Sequence, residues 1–470
     1  MIIINIIILF KVTSCIIVFP FKTINEGKNM GINQEKEEYN YTHFMNDYFK
    51  QLNYVSIKIG SPPQEVKVLL TYQDCGFKLG KSTNCINNTN YLSYYNRNIS
   101  LDFNYTNYYN MPSKEFDGNG NSAEDSVYAY TDINLKEYKK FDNIGFYLGS
   151  DTNDSLCGII GFKMDSYDTQ CSKINNIIRS FKSNKIINNY HWILKYSNKD
   201  EGLLIIGENI EGIIPNFNNE KLFTTNSIIS ESKYNWGFDI QKVICGVDNY
   251  TVSNEVKRAE IDNDFALIQG SYAYYEYIEK NFFKDYFEKK ICVKYMWYLN
   301  TYFQYFVIEC DKNKFGEKDK KNFPNLSLIA FNAGVKFDFD SNDLFTETKY
   351  KYFFNVIFSI YSLEYWVLGK IFLRKYLTLI DLEQKIIEVY LGKVDESINE
   401  KDSENSENPQ NYTFIVVLII IVILFIAFGV LCYLLGKNLN KIRKKKANEL
   451  IDDEYDYTPA KQNNAINNIS

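Results

Sequence analysis

The sequence predicts a mainly β protein. Short apolar runs, alternating or continuous and bounded by Gly, Pro or Asn, recur over about 300 residues, which is typical of sandwiches and barrels. Helical patterning is best at residues 171–184 and 272–289 and is otherwise scarce. Apolar residues form 45% of the 470-residue chain and aromatic residues 16%. That content is enough for a large core spread over two or three domains.

The turn residues between the apolar runs predict where the strands begin and end. Residues 54–59 and 65–70 are two β runs joined by Gly60-Ser61-Pro62-Pro63, a turn whose prolines cannot donate to a strand ladder. The pair therefore predicts a hairpin. Further strands are expected at residues 202–207, 234–240 and 377–380.

The two ends of the chain carry membrane signals. Residues 1–20 are strongly apolar although Lys11 interrupts them and no basic start precedes them; we interpret them as a signal peptide, with a short anchor as the alternative. Residues 414–435 are an uninterrupted run of 22 apolar or small residues, long enough for a transmembrane helix. Basic residues follow it directly, which predicts a cytoplasmic tail at 436–470.

These signals predict a type I membrane protein of the secretory pathway or cell surface. Residues 21–50 form an N-terminal segment or short propeptide. Residues 394–413 are acidic and rich in Ser and Asn, which indicates a flexible stalk. The predicted folded part lies between them, and several Asn-x-Ser/Thr sequons fit glycosylation there.

Seven cysteines fall in the predicted lumenal part. In an oxidising compartment most should pair, and the simplest pairing joins sequence neighbours. That pairing gives Cys75 with Cys85, Cys157 with Cys171, and Cys292 with Cys310. Cys245 is left over.

Composition excludes several classes of function. A net charge of -6 gives no case for nucleic-acid binding. The two histidines, His43 and His191, lie in no ligand or nucleophile spacing, and no CxxC pair occurs. We therefore expect no Ser-His-Asp triad, no metal and no cofactor.

Residues 259–271 are the most informative stretch. Asp262 and Asp264 stand two positions apart, so in an extended backbone they point to the same face. Two carboxylates at close range would raise each other's pKa, because both cannot ionise cheaply. A polar turn between two strands is the alternative.

The stretch resembles the second-lobe motif of the pepsin-like aspartic proteases, in which Asp-Thr-Gly is followed by Thr or Ser, two apolar residues, a polar residue and Gly. Residues 54–64 resemble the entry to that family's first lobe. Gly158-Ile159-Ile160-Gly161 and Trp366-Val367-Leu368-Gly369 resemble the apolar-apolar-Gly segments beneath its catalytic loops. The run from Gly369 to Asp381 is the most specific match, and Asp381 corresponds to a structural residue.

The resemblance covers residues 50–393 and implies a bilobal β fold with a central cleft, its lobes at 51–200 and 201–393. It also implies a carboxylate from each lobe, one acting as general base on a water and the other as acid. Asp262 stands in the second-lobe place, where Asn263 replaces Thr and Asp264 replaces Gly. In the first lobe Thr71 occupies the expected position, and a threonine cannot act as the base.

Two further site residues are weaker candidates. Asp74-Cys75-Gly76 reads as an Asp-x-Gly motif shifted by three residues, which needs a bulge because a three-residue slip reverses the side-chain face. As the alternative, Asp74 is a polar turn residue beside a disulfide cysteine. Tyr105 is the nearest match to the substrate-covering Tyr of the family's flap, with an ordinary hairpin Tyr as the alternative.

Three functions fit this sequence: a membrane-anchored aspartic endopeptidase, a pseudoprotease that binds peptide or protein segments in the cleft, and a structural surface protein. The loss of the first-lobe carboxylate favours weak or absent activity, since one carboxylate cannot fill both roles. We expect a monomer with a single membrane span.

Overall fold

The structure is a computed structural model, and it describes residues 16–25, 51–72, 74–80, 95–107, 120–149, 158–163, 176–227, 236–246, 250–252, 258–298, 304–331, 334–359 and 365–392. The predicted span at 414–435, the stalk and the tail lie outside these residues. Among the described residues no helix is long and apolar enough to cross a membrane.

The fold is mainly β, as the sequence predicts. In the first half of the described chain the strands are β1 (Ile17–Asn25), β2 (Gln51–Ile59), β3 (Gln64–Thr71), β4 (Cys75–Gly80), β5 (Asn104–Asn107), β6 (Gly120–Tyr130), β7 (Tyr138–Gly149), β8 (Gly158–Phe162), β9 (His191–Tyr196), β10 (Glu201–Ile206) and β11 (Leu222–Asn226).

The second half continues with β12 (Gly237–Cys245), β13 (Tyr250–Val252), β14 (Arg258–Ile261), β15 (Ile268–Gly270), β16 (Cys292–Tyr298), β17 (Gln304–Asp311), β18 (Leu326–Ala330), β19 (Lys336–Phe339), β20 (Phe345–Glu347), β21 (Lys351–Phe354), β22 (Val356–Ser359), β23 (Tyr365–Leu368), β24 (Leu377–Asp381) and β25 (Ile386–Tyr390).

The helices are short. They are α1 (Ile177–Ser183), α2 (Ile210–Ile213), α3 (Tyr272–Ile278), α4 (Lys284–Glu288), α5 (Glu317–Lys321), α6 (Ser341–Leu344) and α7 (Lys370–Lys375), with a 3-10 turn at Asn219–Lys221 and a π turn at Glu279–Phe283 between α3 and α4. Both predicted helical regions are thus confirmed where the structure describes them.

The strands form two sheets. Within the described residues, the first sheet has the order β11-β25-β24-β9-β10-β1-β2-β3-β8-β4-β7-β6-β5, and the second follows the path β19-β18-β12-β14-β23-β15-β22-β17-β21-β20. The predicted hairpin is present, since β2 and β3 pair antiparallel with Ile59 opposite Gln64. We call the β2–β8 part of the first sheet the first lobe and the second sheet the second lobe.

The two lobes repeat one arrangement. In the first, β3 runs parallel to β8, β8 antiparallel to β4, and β4 parallel to β7. In the second, β14 runs parallel to β23, β23 antiparallel to β15, and β15 parallel to β22. The central strands β3 and β14 therefore have the same pattern of parallel and antiparallel neighbours, and each ends at an equivalent place in its lobe.

The core extends through both lobes. Apolar side chains of the two sheets are buried together, including Leu70, Ile160, Ile261 and Leu368. Trp236 is buried and its indole Nε1 donates to the backbone O of Phe162 at 2.7 Å. This contact links the entry of the second sheet to the strand beneath the first-lobe loop.

The N-terminal strand differs from expectation. β1 lies between β10 and β2, and Ile17, Val18 and Phe19 are buried. The predicted end of the signal peptide at residue 20 falls inside this strand. The apolar residues 17–20, which the sequence predicts as the end of a leader, are here part of a central strand, since a strand buried on both faces reads as a continuous apolar run.

One predicted disulfide is confirmed. Cys292 and Cys310 are directly opposite each other on β16 and β17 and are bonded. Cys245 is buried and carries a free thiol, as its place outside the predicted pairs implies. The side chains of Cys75, Cys85, Cys157 and Cys171 lie outside the part of the chain that the structure describes.

Candidate functional site

Two loops meet where the lobes join. β3 ends at Thr71, opposite Gly161 of β8, and β14 ends at Ile261, opposite Leu368 of β23. The second loop is anchored by the Asp262 amide, which donates to the backbone O of Leu368 at 3.0 Å. The strand pairings thus bring Thr71 and the 262–264 loop together across the lobe boundary.

The contact that defines this site joins Thr71 to Asp264. The Thr71 hydroxyl donates a short hydrogen bond to Oδ2 of Asp264, and the amide of Tyr72 donates to the same oxygen at 3.1 Å. Thr71 is 6% exposed. The first-lobe strand end therefore supplies two hydrogen-bond donors, where a pepsin-like dyad would need a carboxylate.

Asp262 and Asp264 form a carboxylate pair within one loop. The Asp264 amide donates to Oδ1 of Asp262 at 2.8 Å. Burial, and then the charge of Asp262, raise the pKa of Asp264 to about 7, although the Thr71 hydrogen bond opposes this. The mutual effect expected from their spacing is therefore present, and it falls on Asp264.

The two oxygens of Asp264 have different surroundings. Oδ2 accepts from Thr71 and Tyr72, whereas Oδ1 is buried and has no hydrogen-bond partner within the described residues. A buried acceptor without a partner destabilises the ionised form. The geometry therefore favours a proton on Asp264.

Asn263 joins the lobes between these two carboxylates. It is fully buried, and its Oδ1 accepts from Nδ2 of Asn53 at 2.8 Å and from the Tyr196 hydroxyl at 2.9 Å. Its Nδ2 donates to the backbone O of Leu70 at 3.4 Å. A side-chain amide can accept and donate hydrogen bonds at once. Asn263 therefore both accepts a hydrogen bond from the first lobe, through Asn53, and donates one to it, through Leu70.

A buried lysine lies beneath the loop. Lys370, the first residue of α7, is 0% exposed and its Nζ donates a short hydrogen bond to the backbone O of Gln51. Burial, and then the charge of Arg374, lower the pKa of Lys370 to about 7, while Asp264 and Asp262 raise it. Lys370 is thus the counter-charge to the carboxylate pair.

α7 reaches the loop because of Gly369. A Cβ at this position would lie 2.1 Å from the backbone O of Phe265 and 2.3 Å from that of Leu267. The Gly369 amide instead donates to the backbone O of Leu267 at 3.0 Å, and the Lys370 amide donates to that of Phe265 at 2.8 Å. The close approach needs glycine, and it holds the loop after Asp264 in place.

Asp74 has a partner inside its own lobe. Both of its carboxylate oxygens accept from Nζ of Lys78, at 2.7 and 2.9 Å. The two side chains are 9% and 2% exposed. Asp74, three residues after Thr71, therefore forms a buried ion pair with Lys78.

Tyr105 lies in the first-lobe hairpin of β5 and β6. Its ring packs edge-on against Phe103 with ring centroids 4.8 Å apart, and the Arg97 guanidinium lies 5.2 Å from its centroid. These contacts are those of a hairpin side chain packed against its own lobe.

A pocket of about 440 Å³ adjoins the segment that follows Asp264, and it is lined by residues of both halves that include Gln51, Lys199, Leu267 and Arg374. Arg374 donates to the Gln51 side chain at 3.0 Å. Within the described ranges no group of three or more His, Cys, Asp or Glu side chains is placed to hold a metal ion.

Several site residues were absent from the sequence prediction. Asn53, Tyr196 and Lys370 lie 209, 66 and 108 residues from Asp262 along the chain (262 − 53, 262 − 196, 370 − 262), and no local pattern marks them. Asp264 did have a signal, the two-residue spacing from Asp262. The resemblance to the family motif pointed away from Asp264, because it places glycine at that position.

No family model matches the chain, and no curated protein matches it. Among solved structures, the chain is similar to the crystal structure of basic 7S globulin from soybean, with a TM-score of 0.54 and 12% sequence identity over 81% of this chain and 96% of that one. At that identity the likeness concerns the fold alone. It supports the two-lobed, mainly β, pepsin-like fold for this chain.

Proposed function

We propose that this protein binds peptide or protein segments between its lobes without hydrolysing them by a cross-lobe carboxylate dyad. We further propose that it does so as a glycosylated type I protein of the secretory pathway or cell surface. The observation that carries the first proposal is the hydrogen bond from the Thr71 hydroxyl to Asp264. It places a neutral donor at the first-lobe strand end.

The chemistry of a cross-lobe dyad needs one ionised carboxylate to take a proton from water and one neutral carboxyl to donate to the scissile carbonyl. Thr71 can serve neither role, because its hydroxyl is a far weaker acid than a carboxyl group. Asp74 is engaged by Lys78. The pocket lined by Gln51, Lys199, Leu267 and Arg374 offers polar and apolar surface for a bound segment.

The test compares the wild type with a Thr71→Asp, Asp264→Gly double variant. We expect purified full-length protein to leave denatured substrate intact between pH 3 and pH 7. The double variant, which places one carboxylate on each lobe, should gain cleavage that pepstatin inhibits. Wild-type cleavage that disappears on Asp262→Ala would sink the proposal.

Binding needs its own measurement. Immobilised wild-type protein should retain a subset of peptides from a random pool, and free peptide should compete for them. Retention no greater than that of the bare matrix would favour the structural-protein alternative instead.

A second candidate function is hydrolysis by the Asp262–Asp264 pair of the second lobe. The specific observation is that Asp264 is held beside Thr71 with a raised pKa and a buried Oδ1. Asp262 would take a proton from the attacking water while Asp264 donates its own to the oxygen of the scissile carbonyl. The tetrahedral intermediate would then break its C–N bond, and the leaving amine nitrogen would take the proton held by Asp262. Cleavage by the wild type that is lost in Asp264→Asn would establish this candidate.

A further inference from the structure

The N-terminal strand constrains where the chain can be cut. Ile17 and Val18 are 0% exposed and Phe19 is 2% exposed. Along the strand, Ile17 to Lys22 pair with Ile206 to Glu201 of β10, and Phe21 to Asn25 pair with Val55 to Gln51 of β2. β1 therefore lies in the sheet between the β2–β3 hairpin of the first lobe and strand β10.

A cut after residue 20 would divide this strand. It would remove Ile17 to Pro20, four of the six residues that pair with β10, and would leave that edge of β10 without a partner. Three large apolar side chains would be lost from the core. Burial of such side chains is the main favourable contribution to folding, so a mature chain beginning at Phe21 would fold poorly.

The residues before β1 offer a better position. Leader removal requires small residues at the first and third positions before the cut, while the position between them is tolerant. Between Phe10 and Asn25 the pair of small residues two apart is Thr13 and Cys15, with Ser14 between them. An apolar run, residues 2–10, precedes them at the distance typical of a leader.

We infer that a signal peptidase removes residues 1–15, cutting between Cys15 and Ile16. The cleaved bond is the amide between the Cys15 carbonyl and the Ile16 nitrogen, and water supplies the new carboxylate and amine. The mature chain then begins one residue before β1 and keeps the strand whole. This inference rests on the secretory part of the proposed function and is independent of peptide binding.

The test is the N-terminus of the full-length protein made in a eukaryotic secretory host, read by terminal sequencing and intact mass. We expect it to begin at Ile16. A start at Phe21, or anywhere from 17 to 20, would overturn the cut site. Retention of Met1 on an unglycosylated chain would overturn both the cut and the secretory assignment, whereas peptide binding would be untouched by either result.

Two variants check that small residues direct the cut. Cys15→Leu places a large side chain at the first position before it, and we expect processing at Ile16 to fall at least tenfold. Ser14→Leu is the matched control at the tolerant position, and its product should still begin at Ile16. Equal processing in the two variants would contradict the inference.

A second measurement separates processing from folding. Behind one unrelated leader, a chain begun at Ile16 should be secreted at least tenfold better than a chain begun at Phe21. Equal secretion would show that Ile17 to Pro20 are dispensable, and would remove the structural reason for placing the cut before them.

Discussion

The loops after β3 and β14 occupy equivalent settings in the two lobes, yet they carry different chemistry. Each follows a strand that runs parallel to a neighbour containing an apolar-apolar-Gly segment. The first ends in a hydroxyl, Thr71, and the second carries two carboxylates, Asp262 and Asp264. The comparison teaches that two loops in equivalent backbone settings can carry different charges.

The two loops complement each other. The first ends in a hydroxyl and the second carries the carboxylates. The two positions contact each other, since Thr71 donates to Asp264. The charges of Asp264 and Asp262 raise the pKa of Lys370, which burial lowers.

The largest expected effect concerns the first lobe. Lys78→Met would leave the buried Asp74 carboxylate without its ion-pair partner, and such a loss costs about 3–5 kcal/mol. Urea unfolding measures it. Lys140→Met is the matched control, because its pair with Asp102 is more exposed and exposed pairs contribute little to stability. Similar effects in both variants would contradict a structural role for Asp74.

In the second lobe, the close packing of Gly369 against the backbone carbonyls of Phe265 and Leu267 should be important for stability. Gly369→Ala forces a Cβ against two carbonyl oxygens and should destabilise the protein by about 3 kcal/mol, at the upper end for overpacking. Gly316→Ala is the control, since its nearest neighbour would lie at 3.7 Å; we expect under about 1 kcal/mol. If Gly369→Ala unfolds no more easily than the control, the frame is looser than the structure indicates.

The pH dependence of stability distinguishes the contribution of Asp264 from that of Lys370. The folded pKa of Asp264, about 7, lies above its unfolded value, so its contribution falls as pH rises from about 4 to 7. The folded pKa of Lys370, also about 7, lies below its unfolded value, so its contribution rises from pH 7 to about 10. Together they predict a minimum of stability near pH 7.

Each variant should flatten one side of that minimum. Asp264→Asn should remove the acidic limb and Lys370→Met the basic limb, each on the order of 1–3 kcal/mol, as measured by urea unfolding from pH 4.5 to 9.5. An unchanged acidic limb in Asp264→Asn would show that another group titrates there.

The smallest effect tests the contact between the loops. Thr71→Val removes the hydroxyl that donates to Asp264 and should cost about 1–2 kcal/mol. It should also raise the pKa of Asp264 further, because that hydrogen bond lowers it. Carboxyl titration by NMR reads the pKa directly. Thr224→Val, at an exposed position of β11, is the control, and equal stability losses would argue against the contact.

The fold could be predicted further than the site. The hairpin of β2 and β3 and the Cys292–Cys310 pair follow from local patterns, namely a proline turn between two β runs and two cysteines that are neighbours along the sequence. Residues 17–20, which the sequence predicts as the end of a leader, form the start of β1. The sequence does not separate the two, because a buried central strand and the end of a leader have the same apolar composition.

The site depends on contacts that no local pattern encodes. Asn263 could be seen to depart from the motif, but its bonds to Asn53 and Tyr196 depend on how the lobes close. Lys370 follows a recognisable glycine, yet its burial depends on Gln51 from the other lobe. A side chain's partners at such distances along the chain follow from topology, which sequence spacing does not give.

The position of β1 also has a consequence for synthesis of the chain. β1 is the first of the described strands to leave the ribosome, but its partner β10 ends at residue 206, and β9, which pairs with β10, also pairs with β24 at residues 377–381. The sheet therefore cannot be completed until nearly the whole folded part has been made, and pairing over such separations is slow. Until β10 has been made, the apolar edge of β1 is open to pairing with other nascent chains.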